Sequence, residues 1–447
     1  MSTPPASGNR VALLLGVLVA LTVIGSSAVA VALPSVGEEL GVGLAGRAWV
    51  LAVFGLTFSI STAVFGRVAD LAGLRLPLRI GVGLLAAGSL VSAFAPVYPV
   101  LLAGRVLQGI GAGAVPVLAV GVIAAVFDEE HRPGALGALT GVVALVSGSG
   151  PLIGGALAQL VSWRAVVGLP VVALLLMGPV ARLAPSGRTG SEQGLDARGA
   201  VLVAAVVVGV VLVLQSPSTG AGGPVLAAAL ALAAGAALLL ARHVRRMPEG
   251  FLPLAIVRDR VLLLSAGAAL PLLAAYFGLL LAIPQVLTDE QGWGPFRIGL
   301  ALLPAAAAGS LASRVAPVLA RRLGRETVAA ALCVGSAAGV ALAAAAAPRP
   351  VLLVAGLACA SCGFSGGQVV LLDGVTAAAD PRIRGVAIGI FNLLFFTGGA
   401  VGTAVVGGLA GLLTLPGALG VLVVLPALGA GSALLAGRAV RATTPQR

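Results

Sequence analysis

Gly66-Arg67-Val68-Ala69-Asp70-Leu71-Ala72-Gly73-Leu74-Arg75 separates two apolar runs, 46–65 and 77–96. Each run is about 20 residues long; as a helix rising 1.5 Å per residue it matches a hydrocarbon core about 30 Å thick. Neither run alternates apolar and polar residues with period two, so neither reads as a barrel strand. A helix is then the one structure that pairs all its own backbone groups in lipid. The quoted stretch is therefore a tight connection between two membrane-spanning helices. Its glycines let helix ends approach closely, and Asp70 can pair with an arginine or cap a helix terminus.

Reading outward from this turn gives fourteen apolar runs: 11–33, 46–65, 77–96, 99–126, 135–161, 165–183, 199–216, 224–241, 261–286, 298–319, 327–346, 351–376, 385–410 and 417–437. Hydrophobic residues make up 59% of the 447 and charged residues 9%, against about 25% charged in soluble domains. The chain reads as an all-α polytopic membrane protein. The first run is too long for the apolar region of a signal peptide, about 7–15 residues, and reads as a retained span. An even number of spans puts both termini on one side. Most of the 27 basic residues lie at the termini or in the connections after even-numbered spans, and only Arg47, Arg164, Arg297 and Arg349 fall on the opposite face. The excess of positive charge marks the cytoplasmic side, so both termini are expected there.

Every one of those basic residues is arginine. Without lysine there is no phosphate-binding loop of the ATPase kind and no Schiff-base chemistry. The net charge of +12 lies in short loops, where it sets topology rather than a nucleic-acid surface. Cys359 and Cys362 have redox-like spacing, but they sit in an apolar run with no charged neighbour to activate a thiol. His131 and His243 read as loop residues, too far apart for a metal pair. No nucleophile–base constellation is present, so neither an enzyme nor a cofactor site is expected, and no metal site either. A sensor would need a soluble domain, and the polar loops are too short to fold alone.

The longest polar stretches, 185–198 and 242–260, bracket spans 7 and 8. Removing that pair leaves six spans on each side. The expected division is 1–184, a six-helix bundle; 185–250, a two-helix insert with its flanking loops; and 251–447, a second six-helix bundle. A weak internal echo supports a duplication: Pro317 to Gly324 follows span 10 much as Gly66 to Gly73 follows span 2.

Three motifs carry a family resemblance. The stretch 66–75 resembles the G-x-x-x-D-x-x-G-x-R/K signature of the major facilitator superfamily. Span 4 contains Leu101-Leu102-Ala103-Gly104-Arg105-Val106-Leu107-Gln108-Gly109, similar to that family's L-x-x-x-R-x-x-Q-G pattern. Span 5 carries Gly150-Pro151-Leu152-Ile153-Gly154-Gly155, which resembles the G-P-x-x-G-G motif of its antiporters. Ser162-Trp163-Arg164 and the stretch Phe251 to Arg260 look like the fourteen-span drug:H⁺ antiporter branch. The resemblance implies a major facilitator fold, two six-helix bundles around a cavity plus two extra helices. It also implies a monomeric transporter in a lipid bilayer, exchanging small amphipathic molecules for protons. In that reading Arg105 and Gln108 line the cavity, Gly66, Asp70, Gly73 and Arg75 form a conformational latch, and Gly150, Pro151, Gly154 and Gly155 shape the packing that stops proton leak. An arginine inside a span costs several kcal/mol unless it faces protein or water, which independently makes Arg105 a functional candidate, with a snorkelling arginine about two turns inside the external end as the alternative.

One departure stands out. The branch carries an aspartate and an asparagine on span 1, where this chain has Gly25 and Ala30 within Ile24 to Pro34. Asp373 is the carboxylate left within a span and is the candidate for proton transfer. Ser26, Ser27, Gln368 and Asn392 are further candidates for the cavity wall. Aromatic residues are 4% of the chain, too few for an evident stacking cage, so neutral or anionic amphiphiles are the expected substrates. Export of antibiotics or secondary metabolites across a bacterial cytoplasmic membrane is the expected function, with a uniporter or importer of the same fold as the alternative.

Overall fold

The computed structural model describes residues 5–185, 196–219, 222–345, 349–379 and 384–443. Among them every regular element is helical. The chain runs through α1 (Pro5–Leu40), α2 (Leu44–Ala72), α3 (Arg75–Ala93), α4 (Tyr98–Val126), α5 (Arg132–Gly148), α6 (Gly150–Leu160), α7 (Trp163–Gly168), α8 (Ala173–Leu183) and α9 (Ala197–Gln215). It continues through α10 (Gly222–Arg246), α11 (Leu254–Arg258), α12 (Arg260–Asp289), α13 (Pro295–Leu323), α14 (Arg325–Ala345), α15 (Pro350–Ala378), α16 (Arg384–Leu409), α17 (Leu415–Leu422) and α18 (Val424–Thr443). Among the described residues thirteen stretches are long and apolar enough to cross a membrane; α5 and α6, bent by 42°, make fourteen if that pair is one span. The bend falls at Ser149, between glycines and just before Pro151, where the proline ring has no amide hydrogen to continue the helix ladder. His243, expected in a loop, lies in the last turn of α10.

The turns explain the short connections. Gly73 and Gly324 take positive φ values of 76° and 91°, a conformation that favours glycine. Each donates its amide to the carbonyl four residues back, Ala69 and Ala320, at 3.0 Å. The two stretches that echo one another in sequence thus end their helices in the same way. Elsewhere side chains cap the helices: Asp196 accepts from Gly199 N–H at the start of α9, and Asp259 from Val261 and Leu262 N–H at the start of α12.

Contacts divide the chain into two compact units. The first comprises Met1–Leu40, Val53–Leu195 and Gly294–Leu300. Within it the glycines of α4 serve two neighbours. A Cβ at Gly104 or Gly111 would overlap α3 at Ser92 or Leu85, and one at Gly109 or Gly113 would overlap α2 at Thr57 or Phe58. Ser61 and Thr62 of α2 reinforce the second contact by donating to the carbonyls of Ile110 and Gly113. Small residues let helix backbones approach closely in lipid, where apolar burial alone brings little association.

The second unit comprises Gly41–Ala52, Asp196–Trp293 and Ala301–Arg447. Its most buried helix is α12, which α16 approaches through Gly398 and Gly402, against the carbonyls of Leu270 and Ala274. α9 and α10 pair through Gly209, whose added Cβ would stand 2.8 Å from Ala233 Cα, and α9 rests on α16 at Gly408. Only 11% of the apolar stretch of α10 is buried, and Leu230, Leu238 and Leu239 project outward.

Candidate substrate and coupling site

Arg105 is fully buried, as is Gln108 one turn further along α4. The guanidinium donates to Gln108 Oε1 at 2.9 Å and to the carbonyl of Gly25 at 3.2 Å. Its Cζ lies 4.2 Å from the centroid of the Phe54 ring, a cation–π contact in desolvated surroundings. Gln108 is the hub: its Nε2 donates to Ser89 Oγ at 2.8 Å and to Val167 O at 2.7 Å. One arginine–glutamine pair therefore links α1, α2, α3, α4 and α7. The position where the branch carries its span 1 aspartate is here filled by a backbone carbonyl on the arginine. Snorkelling is ruled out by the complete burial of Arg105.

The broken span builds a second arrangement in the same unit. Gly150 and Gly154 of α6 face α1: a Cβ at Gly150 would overlap Ser27 Oγ, and one at Gly154 would stand 2.6 Å from Ala28 Cα. Gly155 faces the other way, against the carbonyl of Pro295, and Gly299 meets the carbonyl of Pro151. Gln159 Oε1 accepts from Phe296 N–H at 3.0 Å. The motif thus holds α6 in backbone contact with α1 on one side and with the first turns of α13 on the other. Ser26 and Ser27 are buried, and Ser27 Oγ has no hydrogen-bond partner among the described residues.

The remaining candidates are placed as follows. Arg75 donates to the carbonyls of Ala184 at 3.0 Å and Arg182 at 3.4 Å, tying the start of α3 to the end of α8. A Cβ added at Gly66 would stand 3.6 Å from Val117 Cγ2, an ordinary contact distance. The Asp70 side chain lies outside the described residues. Asp373, near the end of α15, is exposed and pairs with Arg325 at 2.8 Å. Gln368 and Asn392 are partly buried, on α15 and α16.

The profile of the Major Facilitator Superfamily matches residues 15–403. The chain belongs to this superfamily. Among relatives of this facilitator, the puromycin resistance protein pur8 of Streptomyces alboniger is 32% identical over 86% of the chain and 78% of its own length. The multidrug resistance protein Stp of Mycobacterium tuberculosis is 30% identical over 84% and 71%, respectively. The tetracenomycin C resistance and export protein of Streptomyces glaucescens is 28% identical over 90% and 77%. A crystal structure of a bacterial homolog of the human lysosomal transporter Spinster shares the fold, with a TM-score of 0.67 and 16% identity over 99% of this chain and all of that one. The protein is a multi-pass membrane transporter, not an enzyme.

Sequence reasoning passed over three groups in this facilitator. Arg47 donates to Gln285 Oε1, and Gln285 Nε2 donates to Asp289 Oδ2 at 2.5 Å, beside a cleft of about 370 Å³ that Glu290 also lines. Glu39 accepts from Trp163 Nε1 at 2.5 Å and Arg164 at 2.6 Å, closing α1 onto α7. Asp196, nearly buried, accepts from Gly199 N–H and Phe251 N–H and meets His243 Nε2 at 2.9 Å. Burial opposes its charge, but those hydrogen bonds outweigh it and hold its pKa below the ordinary carboxylate value. The partners of all three lie tens to hundreds of residues apart, beyond what local spacing can reveal. The aromatic residues were also undervalued: few in number, six of them meet in the second unit.

Proposed function

We propose that this facilitator exports small amphipathic compounds, antibiotics or secondary metabolites, by proton antiport under alternating access, across a bacterial cytoplasmic membrane. The observation that supports the reading is the broken span, where Gly150 and Gly154 pack closely on α1 and Gly155 on the first turn of α13, in a stretch that resembles the antiporter motif. Drug and antibiotic resistance in the names of the relatives agrees with it. In this reading the protein works as a monomer of the fourteen-span branch, with two bundles at 1–184 and 251–447, the insert at 185–250 and cytoplasmic termini. Arg105 and Gln108, with Ser26, Ser27, Gln368 and Asn392, serve the substrate path, and Gly66, Asp70, Gly73 and Arg75 the conformational latch. Asp373 is the carboxylate for proton transfer, and Arg325 the partner its protonation would release.

The test is accumulation of a compound panel in pump-deficient bacterial cells expressing the protein, with and without an uncoupler. Lower accumulation that the uncoupler reverses, and that Asp373→Asn abolishes, is the expected result. Gly25 in place of a carboxylate favours a second reading, facilitated transport without protons. Transport indifferent to the uncoupler would select it, and no change in accumulation at verified surface expression would remove the exporter.

A further inference from the structure

Six aromatic side chains meet on three helices of the second unit. Tyr276 and Phe277 of α12 stand edge to face, centroids 5.5 Å apart at 86°. Phe364 of α15 stacks on Tyr276 at 5.0 Å and 21°. Phe395 of α16 follows Phe364 at 5.9 Å and 16°, and Phe391 follows Phe395 at 6.1 Å and 8°. Phe396 closes the group edge-on to Phe395 at 5.3 Å and 69°. Four rings thus form a nearly parallel series crossing three helices. Phe395 and Phe391, at the end away from Tyr276, are fully buried. Tyr276, Phe277, Phe364 and Phe396 are only partly buried.

Two amides lie on the same helical faces as the partly buried rings. Gln368 is one turn after Phe364, and Asn392 one turn before Phe396, which places each pair side by side on its helix. Lipid solvates aromatic rings as well as a protein core does, so packing alone gives no reason to gather them at one seam. Rings with an accessible side, backed by fixed rings and flanked by a few hydrogen-bonding groups, are what recognition of an aromatic ligand requires.

We propose that this wall is a binding surface for flat, uncharged aromatic ring systems bearing carbonyl or hydroxyl groups. A ligand ring continues the series at its Tyr276 end, with Phe364 backing Tyr276, and Gln368 and Asn392 bond its polar substituents. The members named are rings and amides without a formal charge, so stacking and hydrogen bonding rather than ion pairing select the ligand. This names the substrate class of the exporter proposed above and rests on that reading.

The test uses the purified full chain in lipid nanodiscs and equilibrium dialysis with two probes, 1-hydroxyanthraquinone and a saturated tricyclic alcohol of equal carbon number. Phe364→Leu and, separately, Tyr276→Leu should weaken anthraquinone binding roughly three- to tenfold, the scale of one lost aromatic pair, and leave the saturated probe unchanged. Phe364→Tyr and Tyr276→Phe, which keep the rings, should restore affinity; melting temperature checks that each variant is folded. Anthraquinone failing to bind the wild type, or equal loss of both probes, or no loss of either, would overturn the proposal. Export is read separately in cells. Binding without export would keep the wall and remove the exporter; export of saturated compounds with no anthraquinone binding would do the reverse.

Discussion

The largest fully buried side chain of the first unit is Arg105, and those of the second are Phe391 and Phe395. The arginine is held by directed bonds to Gln108 and Gly25 and by the face of Phe54; the phenylalanines are held by neighbouring rings. Directed bonds are sensitive to a single change, because removing one partner leaves the others buried and unsatisfied. Dispersion is shared among many contacts and weakens by degrees. The two units should therefore differ in how they tolerate substitution, the first failing abruptly and the second gradually.

The largest effect should come from Arg105→Met. It strips Gln108 Oε1 and the Gly25 carbonyl of a buried donor, at about 1–3 kcal/mol for each acceptor left unsatisfied. Export should fall at least tenfold, to background, at matched surface expression. Arg105→Lys should recover little of it, because a compact ammonium lacks the flat guanidinium face that lies over Phe54 while Nη1 donates to both acceptors. In the second unit, Phe395→Leu should cost about 1–2 kcal/mol, read as a lowered melting temperature with export reduced only in part. If Phe395→Leu abolished export and Arg105→Met did not, the contrast between the units would be reversed.

A smaller effect tests the backbone contacts of α6. Gly154→Ala puts a methyl group against Ala28 and should destabilise by about 1–3 kcal/mol. Gly134→Ala, with nothing near the added carbon, should stay within about 0.5 kcal/mol. Equal melting temperatures for the two would show that the motif glycines are not needed for close approach.

The smallest and most conditional effect concerns Asp196. Its folded pKa is depressed, so its stabilisation is present above the ordinary carboxylate value of 3.8 and lost as pH falls through the lower folded value. Asp196→Asn should lower stability by about 1–2 kcal/mol at pH 7, the scale of a lost cap. The gap from wild type should narrow as the pH falls below 3.8 towards the lower folded value. Thermal melting across that range would show it, and a gap that widened towards acid would contradict the bonding described here.

Much of the fold could be read from the chain because hydrocarbon imposes a length and a composition on every span. The bend was foreseeable from Pro151, and the turn at Gly324 from its likeness to Gly73. Arg105, Gln108 and the α6 glycines were legible because their motifs lie within a few turns of one helix. What escaped was the meeting of distant residues. Gly25 reads as a missing carboxylate, and only the fold shows its carbonyl on Arg105. Aromatic content, an average over 447 positions, hid the seam of Tyr276, Phe364 and Phe395, although Phe391 and Phe395 already stand one helical turn apart. Arg47 read as topology-setting charge, and its bond to Gln285 spans 238 positions.

The apolar part of α10, residues 224–241, is about 27 Å long as a helix, close to the thickness of the hydrocarbon, and only 11% of its apolar stretch is buried. A lipid-facing rod of that length makes a thicker bilayer thin around it. Acyl-chain length thereby becomes a variable of this transporter, one that detergent micelles erase. Vesicles of graded thickness are the setting in which rates from different preparations become comparable.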